Sequence, residues 1–134
     1  MSTNYYLRHI PTEEECEQAK SLIDQKRYEA AITCLEKIRE RIHVGKSSDG
    51  WKFSFQIAED GIDMEGKDLI RKNAYKVIQG YIDRGYELED EYEDKVTLSE
   101  LVELIESKIH GKDGSQDDRE IVKDGVRWLS FWYM

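Results

Sequence analysis

Apolar residues recur every three or four positions in four segments of the chain, and this spacing predicts four helices. The first and fourth segments each follow a capping box, in which a threonine and the glutamate three residues later satisfy each other's backbone amides. These pairs are Thr12 with Glu15 and Thr97 with Glu100. The helical apolar positions are Cys16, Ala19, Leu22 and Ile23; Tyr28, Ala31, Ile32, Leu35, Ile38 and Ile42; Leu69, Ile70, Ala74, Val77, Ile78, Tyr81 and Ile82; and Leu98, Leu101, Val102, Ile105 and Ile109.

The second of these helices is expected to continue through Ile42, with Gly45 as the residue that ends it. Residues 21–38 resemble one helical hairpin of a tetratricopeptide repeat. No second copy follows at a spacing near 34 residues, and a solenoid needs about three repeats to bury a continuous core. We therefore interpret this segment as a simple pair of helices.

Alternation of apolar and polar residues, or a high content of aromatic and β-branched residues, predicts about four short strands. The alternation is most regular in residues 51–58, where every second side chain is aromatic or aliphatic. The predicted strands lie at residues 4–10, 51–58, 86–94 and 126–133. Strands and helices do not alternate regularly along the chain, so we predict an α+β fold: about four helices packed on a small, mainly antiparallel sheet.

The composition indicates one globular domain over residues 1–134, with a mobile loop at 112–119 where the sequence is polar and contains glycine. Hydrophobic residues make up 39% of the chain, which suffices for one core. Cys16 and Cys34 have no cysteine or histidine at metal-binding spacing, so we expect free thiols, no metal and no cofactor. No apolar run approaches membrane-spanning length and no signal peptide is evident, so a soluble, cytoplasmic protein is predicted.

The net charge of −9 argues against direct binding of nucleic acid, because such proteins gain affinity when lysine and arginine displace counterions. A partner, if there is one, is expected to carry a basic surface. The strongest acidic run is the candidate partner-binding segment, and its carboxylates are Glu87, Glu89, Asp90, Glu91, Glu93 and Asp94. The alternative is an edge strand whose charges only prevent aggregation. The run does not have the spacing of an EF-hand.

Two further sites are open to two interpretations. Residues 45–50 hold glycine, lysine and hydroxyl groups, and they form either an anion or nucleotide pocket or a structured helix-to-strand connection. A Walker A loop is excluded because Glu40 stands where its first glycine would be. The pocket residues would be His43, Lys46, Ser47, Ser48 and Trp51. The aromatic C-terminal segment, with Trp128 and Trp132, is either core or an interface that also allows a homodimer through strand pairing.

The run IHVGKSSDGWKF at residues 42–53 resembles a family of small uncharacterised proteins carried by bacteriophages and prophages. NYYLR at residues 4–8 and DEY at residues 90–92 also match that family. The resemblance implies a phage accessory protein and transfers no catalytic residue.

Three functional hypotheses follow, in decreasing order of support. The first is a non-enzymatic inhibitor of a bacterial nucleic-acid-targeting defence protein, of the anti-CRISPR or anti-restriction type, which would dock its carboxylates on a basic groove. The alternative is a protein that sequesters a nucleotide or another small ligand at residues 45–50. An enzyme is disfavoured, because no nucleophile, base and orienting group occur together.

Overall fold

The computed structural model describes residues 2–57, 70–113 and 120–129. Four helices and six strands lie in this part of the chain. In chain order they are β1 (Ser2–His9), α1 (Glu13–Asp24), α2 (Tyr28–Ile38), β2 (Arg41–Ser48), β3 (Ser54–Phe55), α3 (Ile70–Asp83), β4 (Tyr86–Asp90), α4 (Leu98–Ser107), β5 (Glu120–Lys123) and β6 (Val126–Leu129). The predicted α+β class and the four helices are confirmed.

The strands form one mixed sheet in the order β4-β1-β2-β3-β6-β5. All neighbouring pairs are antiparallel except β3 with β6, which run parallel. One face of the sheet is apolar and packs with side chains of α3 and α4 in a single core. Fully buried members of that core include Leu7, Val44, Phe55, Ile78 and Ile105. Each such side chain contributes about 1.5–3 kcal/mol relative to an exposed position.

Both predicted capping boxes are present. Thr12 accepts a hydrogen bond from the Glu15 amide at 3.2 Å, and the Glu15 carboxylate accepts one from the Thr12 amide at 3.0 Å. Thr97 and Glu100 repeat this arrangement at the start of α4. Each box satisfies amides that no carbonyl within the helix can reach, which fixes where α1 and α4 begin.

The predicted extension of the second helix to Ile42 is wrong. α2 ends at Ile38, and β2 begins three residues later and runs through the segment expected to be a loop. The long-range pairing with β1, in which Leu7 lies opposite Ile42 and Asn4 opposite Lys46, outweighs the local helical period. A bulge in this pairing sets Tyr5 opposite Gly45 and Tyr6 opposite His43. Residues 45–48 are therefore strand, and only Asp49 and Gly50 turn.

The prediction of about four strands is too low, because it omits β2, whose residues were assigned to a helix and a loop, and it omits β5. β5 pairs with β6 through a tight turn at Asp124 and Gly125, both of which have positive φ.

The predicted edge position of the acidic strand is confirmed, since β4 lies at one end of the sheet and β5 at the other. β6 has neighbours on both sides. Most of the loop predicted at 112–119 lies outside the described residues, as does the end of the segment predicted at 126–133.

Candidate functional site

The acidic run of β4 is neutralised in part by neighbouring strands. The side chain of Glu89 is buried, and its two oxygens accept hydrogen bonds from Arg8 Nε at 3.2 Å and from Arg41 Nε at 3.1 Å. Glu87 forms ion pairs with Arg8 at 3.8 Å and with Lys95 at 2.8 Å. Glu89 is therefore held inside the fold, and it is not retained as a residue that reaches a partner.

The turn after β4 uses two more of these carboxylates. Asp90 Oδ1 accepts hydrogen bonds from the amides of Tyr92 at 2.8 Å and Asp94 at 3.0 Å. Glu91 accepts one from the amide of Asn4 at 3.0 Å. The side chains of Glu93 and Asp94 are exposed. Of the six carboxylates predicted to bind a partner, these last two are the most accessible.

The described part of the predicted aromatic interface is buried. Trp128 is 6% exposed and belongs to the core, with its ring centroid 5.3 Å from that of Phe55. Trp132 lies outside the described residues. Of the two interpretations of Trp128, the structure places it in the core, so it is withdrawn from the candidate interface.

The face of the sheet opposite α3 and α4 is polar, and His43 lies on it. His43 Nε2 donates to Asn4 Oδ1 at 2.9 Å, and its ring stacks on Tyr6 with centroids 5.0 Å apart. Arg41 also contacts Tyr6, and its guanidinium carbon lies 3.7 Å from the Tyr6 ring centroid. Burial lowers the pKa of His43, against opposing hydrogen bonds with Gly45 and Gln56. Burial therefore favours the neutral form of this histidine, whose ring is engaged by its neighbours.

The remaining predicted pocket residues are only partly brought together. Lys46 and Ser48 lie on the polar face with His43, whereas strand alternation directs Ser47, which is 8% exposed, to the other side. Trp51 follows the turn at residues 49–50 and forms a bridge with Lys112. The five residues therefore do not form the loop pocket expected from the sequence.

A different polar row involves Lys46. Strand register places Lys46 beside Ser54, and Ser54 beside Arg127, on three adjacent strands. Neighbouring strands lie about 4.8 Å apart, so one hydroxyl stands between two cationic side chains on the same face. The guanidinium carbon of Arg127 and Nζ of Lys112 each lie 5.6 Å from the centroid of the Trp51 ring. We call Lys46, Ser54 and Arg127 the cationic row.

The helical hairpin formed by α1 and α2 stands apart from the core. None of its residues belongs to the main core cluster, and its buried apolar side chains are Ala19, Ala31 and Ile38. Large apolar side chains on it are instead exposed to solvent: Ile23 at 47%, Tyr28 at 57%, Ile32 at 51% and Leu35 at 40%. Apolar area of this kind, concentrated on one element, is typical of interaction sites.

These exposed side chains share one face of the hairpin. Ile23 is four residues after the buried Ala19, and Leu35 is four residues after the buried Ala31, so both are displaced around their helices in the same rotational sense. Tyr28, three residues before Ala31, is displaced in that sense too. Because the two helices of a hairpin run in opposite directions, equal displacements carry side chains to the same side. The hairpin face consists of Cys16, Ile23, Tyr28, Ile32 and Leu35.

Acidic residues line both outer borders of the hairpin face. On α1 the border positions follow one another at spacings of four, three and four residues. On α2 the two carboxylates are seven residues, or about two turns, apart. The exposed carboxylates of these stripes are Glu13, Glu17 and Asp24 on α1 and Glu29 and Glu36 on α2. Lys20 is the cation in the α1 stripe, so five negative charges face one positive charge. None of the five carboxylates has an ion-pair partner within residues 2–57, 70–113 and 120–129.

The hairpin is joined to the sheet by a small polar cluster. His9 Nε2 lies 2.9 Å from the Glu15 carboxylate, and the Tyr86 hydroxyl donates to Glu40 at 2.8 Å. The His9 amide donates to the Glu40 carbonyl at 2.9 Å. Two hydrogen bonds to the ionised carboxylate lower the pKa of Glu15. The bond from the Thr12 amide has the larger effect, and the bond with His9 has the smaller one. These contacts fix the base of the hairpin and leave its outer face open.

The sequence contained a signal for this face. The second helix carries more apolar positions than one narrow stripe needs, and Tyr28, Ile32 and Leu35 form a second stripe beside the buried one. Within the described residues, no group of three histidine, cysteine or acidic side chains is placed to hold a metal ion. In the same part of the chain, no helix is long and apolar enough to cross a membrane.

Comparison of the chain with protein-family models, with curated proteins and with solved structures finds no significant match. The hairpin face and the cationic row are therefore interpreted from their own geometry.

Proposed function

We propose that this protein acts by binding another protein through the hairpin face, and that it is not an enzyme. The observation that carries this proposal is the exposure of four large apolar side chains on an element that contributes nothing to the main core. The sequence resemblance suggests the biological setting: a phage accessory protein that inhibits a bacterial nucleic-acid-targeting defence protein. A basic groove on such a target suits the acidic borders of the hairpin face.

An affinity purification tests this proposal. The tagged chain is incubated with bacterial lysate at low and moderate salt beside two variants, Ile32→Asp/Leu35→Asp and Tyr92→Asp. Tyr92 is 66% exposed and lies outside the hairpin, so the second variant is a matched control for adding charge at an exposed apolar site. We expect one stoichiometric basic protein with wild type and with the control, and its loss with the hairpin variant. Equal recovery with all three proteins, or recovery of the bait alone, would count against the proposal.

Inhibition is tested separately from binding. The nuclease or nucleic-acid-binding activity of the captured protein is titrated with wild type and with the hairpin variant. We expect activity to fall in proportion to complex formed with wild type and to stay unchanged with the variant. Full activity in a saturated wild-type complex would retain the binding function and reject inhibition.

A second candidate function is the sequestration of a small anionic ligand, such as a nucleotide, at the cationic row. The register that aligns Lys46, Ser54 and Arg127 beside Trp51 favours it. Two cations flanking a hydroxyl on one face are suited to a phosphate group. Titration with ATP and with cyclic dinucleotides, followed by tryptophan fluorescence, tests it. A response that disappears in Lys46→Ala and persists in Lys95→Ala would support this function, and the absence of any response would reject it for these ligands.

A further inference from the structure

The occupant of the hairpin face can be specified more closely, an inference that rests on the proposed function. We propose that the face binds a basic amphipathic α-helix of the partner, seated along the groove between α1 and α2. The apolar side of that helix contacts Ile23, Tyr28, Ile32 and Leu35, and its lysine or arginine residues lie over the acidic borders on either side.

The shape of the face favours a helix over a strand. An extended peptide gains affinity by pairing its backbone with a sheet edge, whereas α1 and α2 satisfy their own backbone groups and offer side chains only. Helices of 12 and 11 residues extend roughly 17 Å at 1.5 Å per residue. A partner helix of about three turns matches that length, and a third helix packed on two is a common arrangement for apolar stripes of this width.

The charges favour a basic partner and oppose a second copy of this chain. Two hairpin faces in contact would bring the carboxylates of Glu13, Glu17 and Asp24, or of Glu29 and Glu36, near carboxylates of the same kind. Like charges at an interface are unfavourable, while cations flanking an apolar stripe complement both borders at once. The border carboxylates lie beside the apolar side chains of the hairpin face, where they stay hydrated and act on specificity and association rate.

Three labelled peptides of 14 residues test the inference by fluorescence anisotropy. The first places leucine at helical spacing with lysine elsewhere, the second has the same leucine positions with glutamate, and the third scrambles the leucine and lysine of the first. We expect only the first peptide to bind well, and we expect its affinity to fall several-fold between 50 and 500 mM salt. Equal binding of the scrambled peptide would mean a charge effect without helix recognition and would overturn the inference.

Two pairs of protein variants locate the binding. Ile32→Asp is expected to weaken the leucine–lysine peptide at least tenfold, and Tyr92→Asp to leave it unchanged. Glu29→Lys/Glu36→Lys is expected to weaken it by a similar factor, while Glu93→Lys/Asp94→Lys makes the same charge change at the acidic run and should have little effect. Circular dichroism verifies that each variant is folded. Loss of binding only with Glu93→Lys/Asp94→Lys would move the site to the acidic run.

The outcomes separate this inference from the proposed function. Capture of a protein through the hairpin, without peptide binding, would keep the proposed function and reject a helical basic partner. Peptide binding that is lost in Ile32→Asp supports the inference even before a cellular partner is identified. Sedimentation of the free protein gives the remaining outcome: a dimer that dissociates in Ile32→Asp would assign the face to a second copy and overturn the inference.

Discussion

Arg41 donates a 3.1 Å hydrogen bond from Nε to the carboxylate of Glu89, although the two residues are 48 positions apart. The other carboxylate oxygen accepts from Arg8, so one buried anion ties β4 to β1 and β2. Glu89 therefore stabilises the acidic edge of the sheet, and the most acidic stretch of the sequence includes a structural ion pair.

Replacing Glu89 with glutamine is expected to lower the free energy of unfolding by about 1–3 kcal/mol. Removing one member of a buried ion pair typically costs about 3–5 kcal/mol, but both arginines are more than one third exposed and can be solvated by water. Urea denaturation measures the change, with Glu93→Gln as the matched control in the same run. We expect the control to shift stability by less than about 0.5 kcal/mol. Equal effects of the two substitutions would contradict the structural role of Glu89.

A second prediction concerns two glycines with opposite surroundings. A Cβ at Gly45 would lie 2.4 Å from the Ser54 carbonyl oxygen and 2.6 Å from the Phe53 ring, whereas one at Gly80 would meet nothing within 4 Å. Gly45→Ala should therefore destabilise the protein by about 1–3 kcal/mol or more, because buried backbone must move. Gly80→Ala, inside α3, should stabilise it by about 0.5–1 kcal/mol. Thermal unfolding of the two variants checks both signs, and a shift of the same sign in both would refute the argument.

The sequence predicted those features of the fold that depend on local interactions. The capping boxes at Thr12 and Thr97 need only a threonine and a glutamate three residues later, and both are present in the structure. The end of α2 depends instead on pairing with β1, and local spacing extended the helix to Ile42 because isoleucine there continues the apolar period. The β5–β6 turn was readable in principle, since Asp124-Gly125 is a strong signal of a tight hairpin.

The candidate sites could be predicted less well than the fold. The neutralisation of Glu89 requires Arg8, which is 81 residues away, and no local pattern indicates that contact. The row of Lys46, Ser54 and Arg127 likewise depends on the order of three strands. The hairpin face could be predicted only in part, because apolar periodicity shows which residues share a helix face and does not show whether another element covers it.

A third prediction follows from the position of the hairpin outside the core. Amide hydrogen exchange should be faster in α1 and α2 than in β1 and β2, because few buried contacts oppose local opening of the hairpin. Thr12→Ala should remove about 1 kcal/mol of capping energy and accelerate exchange in α1 by about fivefold. Thr97→Ala is the matched control, since it removes the same box from α4, whose Leu101 and Ile105 are in the core.

The two capping variants should therefore differ in where their effects appear. We expect Thr97→Ala to lower global stability by about 1 kcal/mol and to leave the exchange rate in α1 unchanged, because α1 opens locally. We expect Thr12→Ala to act mainly on α1 and α2. Uniform acceleration of exchange throughout the protein in both variants would show that the hairpin unfolds only with the core.

A final prediction concerns pH and the base of the hairpin. The hydrogen bond from the Thr12 amide and the contact with His9 hold the pKa of Glu15 below its ordinary value of 4.5. A carboxyl group whose pKa is lower in the folded state adds stability that is fully present above the unfolded value. That stability is lost as the pH falls through the folded value, because protonation then favours the unfolded chain. The start of α1 should therefore weaken below about pH 4.5.

Glu15→Gln separates this titration from the hydrogen bond, since glutamine also serves at the third position of a capping box. NMR titration of the Thr12 amide from pH 6 to pH 2.5 should give a midpoint below 4.5 in wild type and in Glu14→Gln, a control at the exposed neighbouring position. The transition should be absent in Glu15→Gln. A midpoint at or above 4.5 in wild type would show that the carboxylate is not held by the Thr12 amide in solution, and the base of the hairpin would then depend on the Tyr86–Glu40 hydrogen bond and the His9 backbone contact.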